Sequence, residues 1–163
     1  GGRKLKTFFD ENMAYEKKDG DVVMYSRCEL GCLAKEVSLD GGLTFSDDTE
    51  SEIEAPATRF FISRTPSGRV ILVHNDDKKI RKNMSIWLSD DDGESWPHRV
   101  CIDERSAISY PDVDFYDGKI YLTYDRERTG AKEIFLAVFT EDDIINGRPI
   151  DVKIVSKPGL TSI

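Results

Sequence analysis

The chain alternates short apolar runs with polar turns in a repeating order. Val22-Val23-Met24-Tyr25, Val70-Ile71-Leu72-Val73 and Ile120-Tyr121-Leu122-Thr123 each follow a turn dipeptide, Asp19-Gly20, Ser67-Gly68 and Asp117-Gly118. A flexible dipeptide feeding a β-branched and aromatic run predicts a hairpin turn entering a strand. The turn glycines at 20, 68 and 118 lie 48 and 50 residues apart. A further strand is expected after each: Cys32 to Ser38, Asn83 to Ser89, and Glu133 to Thr140. After Phe139-Thr140 the run Glu141-Asp142-Asp143-Ile144-Ile145 predicts a helical turn, and Val152 to Val155 a last short strand.

A second signature keeps the same register. Ser38-Leu39-Asp40-Gly41-Gly42-Leu43-Thr44-Phe45 and Ser89-Asp90-Asp91-Asp92-Gly93-Glu94-Ser95-Trp96 share the form S-x-D-x-G-x-[ST]-[FW]. This pattern predicts a hairpin loop in which a short carboxylate accepts from backbone N–H groups, glycine takes a left-handed conformation, and the terminal aromatic packs under the turn. Its aspartates therefore read as loop-closing groups, ahead of calcium ligation by Asp90, Asp91 and Asp92.

Repeats of about 40–50 residues, each a four-stranded meander, point to an all-β propeller. The 163 residues hold three such units, roughly 8–58, 59–108 and 109–163, in a single domain with no linker between them. Propellers close with about four to eight blades, so three make about half a ring.

Composition narrows the partners. The net charge of −8 opposes binding to a phosphate backbone, so nucleic acid is excluded as a principal partner. No apolar run reaches the roughly 20 residues of a membrane-spanning helix, and the Gly1-Gly2 start carries no leader pattern. Cys28, Cys32 and Cys101 form an odd set. The Cys28-to-Cys32 spacing lacks a second ligand pair for zinc, so free thiols and no metal or cofactor are expected. His74 and His98 stand in no recognisable motif.

The S-x-D-x-G-x-[ST]-W loop is the Asp box, or bacterial neuraminidase repeat, and the chain around it resembles the sialidase family over nearly its whole length. The segment Glu11 to Gly20 continuing to Met24-Tyr25-Ser26-Arg27 is similar to the stretch that supplies a catalytic glutamate and a substrate arginine, which the resemblance assigns to Glu11 and Arg27. Arg81, in the run Arg81 to Ser89 leading into the second Asp box, matches a further substrate arginine. Ser109-Tyr110-Pro111-Asp112 is similar to the nucleophilic-tyrosine segment, with Pro111 where serine is more common, and Asp125 falls where a glutamate usually orients an arginine. The implied fold is the C-terminal half of a six-bladed sialidase propeller; the resemblance leans toward a secreted or periplasmic setting, while the sequence itself leaves the compartment open.

Chemistry makes sense of that set. A sialic acid carries a carboxylate on its anomeric carbon, which repels a carboxylate nucleophile; a neutral phenol avoids the repulsion, and tyrosine is the known exception among glycosidase nucleophiles. A tyrosine phenol ordinarily ionises near pH 10 and needs a base beside it, the role expected of Glu11. Planar guanidinium forks suit the substrate carboxylate, hence Arg27 and Arg81. Each residue also has a plainer reading: Tyr110 as a packing aromatic, Arg81 as one member of the basic loop Lys78 to Lys82, Glu11 as an exposed terminal residue. Arg27, Asn75 and Asp125 stand at one offset from their turn glycines, which predicts a shared polar funnel.

The family pattern further implies an arginine motif and an acid/base aspartate from early blades. No arginine-isoleucine-proline segment occurs, and Arg148-Pro149-Ile150 has the wrong order. The expected activity is therefore a sialidase-like exo-glycosidase acting on sialylated or other acidic glycans, incomplete in this chain and completed by an N-terminal half-propeller or a second copy. The competing reading is a propeller of the same fold that binds a glycan or protein without hydrolysis. The Asp boxes should share one rim, and Glu11, Tyr110, Arg27 and Arg81 should converge away from it.

Overall fold

A computed structural model describes residues 11–159; the outermost residues of the first and third expected units, 8–10 and 160–163, lie outside the described residues. Among the described residues, twelve strands form three four-stranded antiparallel sheets, each in sequence order. The first comprises β1 (Asn12–Glu16), β2 (Val22–Arg27), β3 (Cys32–Ser38) and β4 (Thr49–Glu54). The second comprises β5 (Phe61–Arg64), β6 (Val70–Asn75), β7 (Met84–Ser89) and β8 (His98–Asp103). The third comprises β9 (Ile108–Tyr116), β10 (Lys119–Arg126), β11 (Glu133–Phe139) and β12 (Val152–Ser156).

The middle sheet explains why its sequence is so continuously apolar. Every residue of β6 and β7 is buried. Successive side chains of a strand point to opposite faces. Val70 and Leu72 accordingly join Val23, Tyr25 and Leu33 of the first sheet in one core cluster, while Ile71 and Val73 join Leu122, Tyr124 and Phe135 of the third in another. The flanking sheets bury one face each, so β10 alternates in exposure while β6 does not.

The Asp boxes connect β3 to β4 and β7 to β8, which puts both at the same end of their sheets. Ser38 Oγ donates to Asp40 at 2.7 Å, the Gly42 N–H donates to Ser38 Oγ at 2.8 Å, and Thr44 gives Asp40 its N–H at 2.9 Å and its hydroxyl at 2.6 Å. Ser89, Gly93, Ser95 and Asp91 repeat these contacts at 2.7, 2.8, 2.8 and 2.6 Å. The flanking aspartates are engaged elsewhere: Asp90 with Arg69 and His98, and Asp92 with Arg64. Among the described residues no group of three His, Cys, Asp or Glu side chains is placed to hold a metal ion.

The two terminal aromatics part company. Trp96 lies 6.2 Å from the Trp87 ring against the first core cluster, whereas Phe45 is more than one-third exposed, contrary to the expectation that both pack under their turns. The second loop has a neighbour sheet to lean on. Tyr15 of β1 donates to the Asp92 carbonyl at 2.9 Å, and a Cβ at Gly93 would sit 2.1 Å from the Tyr15 hydroxyl, so only glycine fits under that contact.

In the third unit a short helix, α1 (Glu141–Ile145), stands where the others have an Asp box. Thr140 caps it reciprocally with Asp143, and Ile144 is buried. Glu141 ties the helix to the middle sheet through Arg69 at 2.8 Å and Ser67.

Candidate active site

The ends of the strands opposite the Asp-box rim bring three of the expected residues, Glu11, Arg27 and Arg81, around the phenol of a fourth, Tyr110. Glu11 lies just before β1, Arg27 ends β2, and these meet because β1 and β2 pair in the register Asn12↔Ser26. Tyr110 comes from β9 of the third sheet, and its hydroxyl donates to Glu11 Oε1 at 2.6 Å. Arg27 Nη1 donates to Glu11 Oε2 and lies 3.4 Å from the Tyr110 oxygen. Arg81, in the loop between β6 and β7, sets its guanidinium carbon 5.9 Å from the Tyr110 ring centroid and donates to the Ala57 carbonyl at 3.3 Å. Its neighbours Lys78, Lys79 and Ile80 are solvent-exposed, so Arg81 separates from the basic loop around it.

Burial pushes the Glu11 carboxyl up, but hydrogen bonds from Tyr110 and Arg27 and the positive charges of Arg27 and Arg59 outweigh it. Glu11 is held below its ordinary value of 4.5 and is ionised at neutral pH.

Tyr110 reaches this position through a defect in its strand. Ser109 pairs with Asp125 and Asp112 with Thr123, so Tyr110 and Pro111 together oppose the single residue Tyr124. The extra residue is a β-bulge, and Tyr110 takes a left-handed conformation with φ 57°. Backbone of this kind is costly for a bulky residue and is found where a side chain must be aimed. Pro111 suits the same spot, since proline is tolerated at bulges where a ladder N–H is dispensable.

Asp125 does not touch Tyr110. Its carboxylate accepts from Ser109 Oγ at 2.8 Å and from Arg128 Nε. Arg128 in turn lays its guanidinium carbon 3.5 Å from the Tyr110 ring centroid, and the Asp125 charge raises its pKa against the opposing effect of burial. Asp125 thus acts on the site through an arginine that the sequence reading did not single out. Arg128 is placed by a turn whose left-handed Glu127 (φ 49°) and Glu127-to-Lys132 bonds leave no local motif to read.

Asn75, the third member of the expected polar funnel, is not there. It is fully buried and donates to the carbonyls of Lys82 and Ile108 at 2.9 and 3.2 Å, stitching the second sheet to the third. The three positions share a place in the sheet but not a surface. A separate recess of about 500 Å³ lies between the second and third sheets on the Asp-box rim, lined by residues such as Pro66, Phe115, Tyr116 and Thr140; it contains none of the expected site residues.

Solved structures with the same fold include the intramolecular trans-sialidase of Ruminococcus gnavus in complex with oseltamivir carboxylate, at 25% identity and a TM-score of 0.70 over 82% of this chain and 33% of that one. The leech intramolecular trans-sialidase with 2,7-anhydro-Neu5Ac matches at 22% identity and 0.72 over 84% of this chain and 24% of that one. The Hadza microbial sialidase Hz136 matches at 17% and 0.63 over 71% and 25%. The chain therefore spans a third of the first and about a quarter of the other two. No curated protein matches it. The family model of the BNR repeat-like domain matches residues 11–122, and with the sialidase-like fold and two Asp boxes on one rim, the chain belongs to this BNR-repeat family within the sialidase superfamily.

Proposed function

We propose that this chain is the C-terminal half of a six-bladed sialidase-like propeller, contributing three blades to an exo-glycosidase that removes terminal sialic acid or a related acidic sugar. The observation that carries the reading is the 2.6 Å hydrogen bond from the Tyr110 hydroxyl to Glu11, with Arg27 on the same carboxylate. In this reading Glu11 accepts the phenol proton as the Tyr110 oxygen attacks the anomeric carbon, forming a covalent glycosyl intermediate that water then opens. Arg27 and Arg81 take the substrate carboxylate, and Arg128, paired with Asp125, lies over the phenol ring.

Arg27 has two duties in this scheme. While it grips Glu11 it keeps that carboxylate a weak base; when a substrate carboxylate draws the guanidinium away, Glu11 becomes the stronger base at the moment it is needed. Two related structures hold an acidic ligand by name, oseltamivir carboxylate and 2,7-anhydro-Neu5Ac, which supports an anionic sugar as the substrate class. The acid that protonates the leaving group comes from the complementary half, an N-terminal half-propeller or a second copy.

The test is turnover of a fluorogenic α-sialoside, together with N-acetylneuraminate binding by ligand-observed NMR, on this chain and on the longest protein that contains it. Tyr110→Phe should lower turnover on the order of 10³-fold or more while leaving binding in place. Binding without turnover in the unsubstituted protein would instead assign it as a non-hydrolytic glycan-binding propeller, and neither would refute the reading.

A further inference from the structure

Cys28 and Cys32 flank the three-residue turn Glu29-Leu30-Gly31 between β2 and β3. The ladder of these strands runs in register as far as Arg27↔Leu33, so the next opposed positions are Cys28 and Cys32. Opposed residues of an antiparallel pair present their side chains on one face, and the two cysteines form a buried cluster with Ala34, two residues further along that face. Opposed Cα atoms sit about 4.5–5.5 Å apart, inside the roughly 4.4–6.8 Å that a disulfide spans. The Cys28 sulfur already reaches across the turn, donating to the Cys32 carbonyl at 2.9 Å. Burial and the facing Cys28 thiol both push the Cys32 thiol up. Cys101 is exposed on β8, in a different sheet.

We propose that Cys28 and Cys32 are a dithiol redox site that takes a low-molecular-weight disulfide, such as oxidised glutathione, and closes into a cross-strand disulfide. Cys32 is the first nucleophile because it is the less buried of the two; since burial holds its thiol up, only a small thiolate fraction reacts and the first exchange is slow. Its thiolate attacks one sulfur of the incoming disulfide and expels the other half as a thiolate. The Cys28 thiolate then attacks the Cys32 sulfur of this mixed disulfide and expels the second half. The protein loses two protons and two electrons, and the incoming disulfide is reduced to two thiols.

The position gives the bond a consequence. Arg27 is the residue before Cys28. Gly31 packs so closely on the loop that carries Arg81 that a Cβ there would meet the Lys78 carbonyl oxygen at 3.2 Å, and its own carbonyl accepts from the Ala55 N–H at 3.2 Å. Closing the pair stiffens the turn that joins the supports of two arginines of the candidate site. The dithiol itself stands independently of the glycosidase reading.

The experiment treats the whole folded chain with excess oxidised glutathione at about pH 8, alkylates remaining thiols in denaturant, and maps the tryptic peptide Cys28–Lys35, which trypsin releases by cutting after Arg27 and Lys35. The expected result is a peptide about 2 Da lighter than the dithiol, carrying no alkyl group, and restored to double alkylation by prior reduction with dithiothreitol. Cys28→Ser should trap a stable glutathione adduct on Cys32 that the unsubstituted chain does not retain. Double alkylation after oxidation, a lasting adduct in the unsubstituted chain, or a bond to Cys101 would each overturn the proposal. Loss of sialoside turnover or binding bears on the glycosidase reading alone.

Discussion

The two rims of this molecule use carboxylates in opposite ways. On the Asp-box rim, Asp40 and Asp91 are each satisfied by groups within four residues, and the two loops agree to within a tenth of an ångström in every bond. On the other rim, Glu11 is satisfied by Arg27 and by Tyr110, 16 and 99 residues away. The first arrangement survives whatever the neighbouring sheets do. The second exists only while the first and third sheets hold their mutual position, so it reports on the assembly of the fold.

Substitutions should separate the rims. Glu11→Gln removes the base, and if the glycosidase reading holds, sialoside turnover falls on the order of 10²–10⁴-fold while urea unfolding moves by less than about 1 kcal/mol. Asp91→Ala should do the reverse, costing about 1 kcal/mol in urea unfolding with turnover unchanged, because it orphans the Ser95 N–H and hydroxyl. Equal losses of both quantities in either variant would show that the rims are coupled.

Acid should sharpen the contrast by passing over the Asp boxes. Hydrogen bonds from Ser95 and Ser89 hold Asp91 down at about 2 against an ordinary 3.8, so its contribution is present above about pH 3.8 and is lost as pH falls toward 2. Burial, with the charge of Arg99, pushes His74 down to about 3 from an ordinary 6.5. The unfolded chain therefore takes up a proton that the folded chain refuses, and stability falls as pH drops from about 6.5 toward 3. His74 is edge-on to Trp87 at 4.6 Å, and neither ring nitrogen has a hydrogen-bond partner among the described residues. His74→Phe should keep the packing, flatten unfolding free energy between pH 6.5 and 4, and change neutral-pH stability by less than about 1 kcal/mol. A variant that keeps the full slope would place the acid sensitivity elsewhere. The smallest effect is expected at Phe45: with a third of its surface exposed, Phe45→Ala should cost less than about 0.5 kcal/mol by thermal unfolding.

The sheets were legible because the same turn glycine precedes the same kind of strand three times, and a repeat reinforces each weak local signal. At the site, Glu11, Arg27, Arg81 and Tyr110 were legible through their resemblance to a family, not through spacing. Spacing misled at Asn75, where position in the sheet was equivalent but the neighbouring sheet covered it. It was silent on Arg128, whose place over the phenol depends on an irregular turn and on Asp125, the residue that the resemblance had matched to an arginine-orienting carboxylate.

The bulge at Tyr110 turns the position of the phenol into a matter of parity. Residues that face each other across an antiparallel pair share a side of the sheet, and Tyr124 points into the core, stacked on Phe135 at 5.2 Å. A strand with one residue fewer between Ser109 and Asp112 would seat its remaining residue squarely opposite Tyr124 and bury it between the second and third sheets. A one-residue deletion here is therefore a change of side: it would regularise the ladder, relieve the left-handed backbone, and leave Glu11 and Arg27 facing an empty rim.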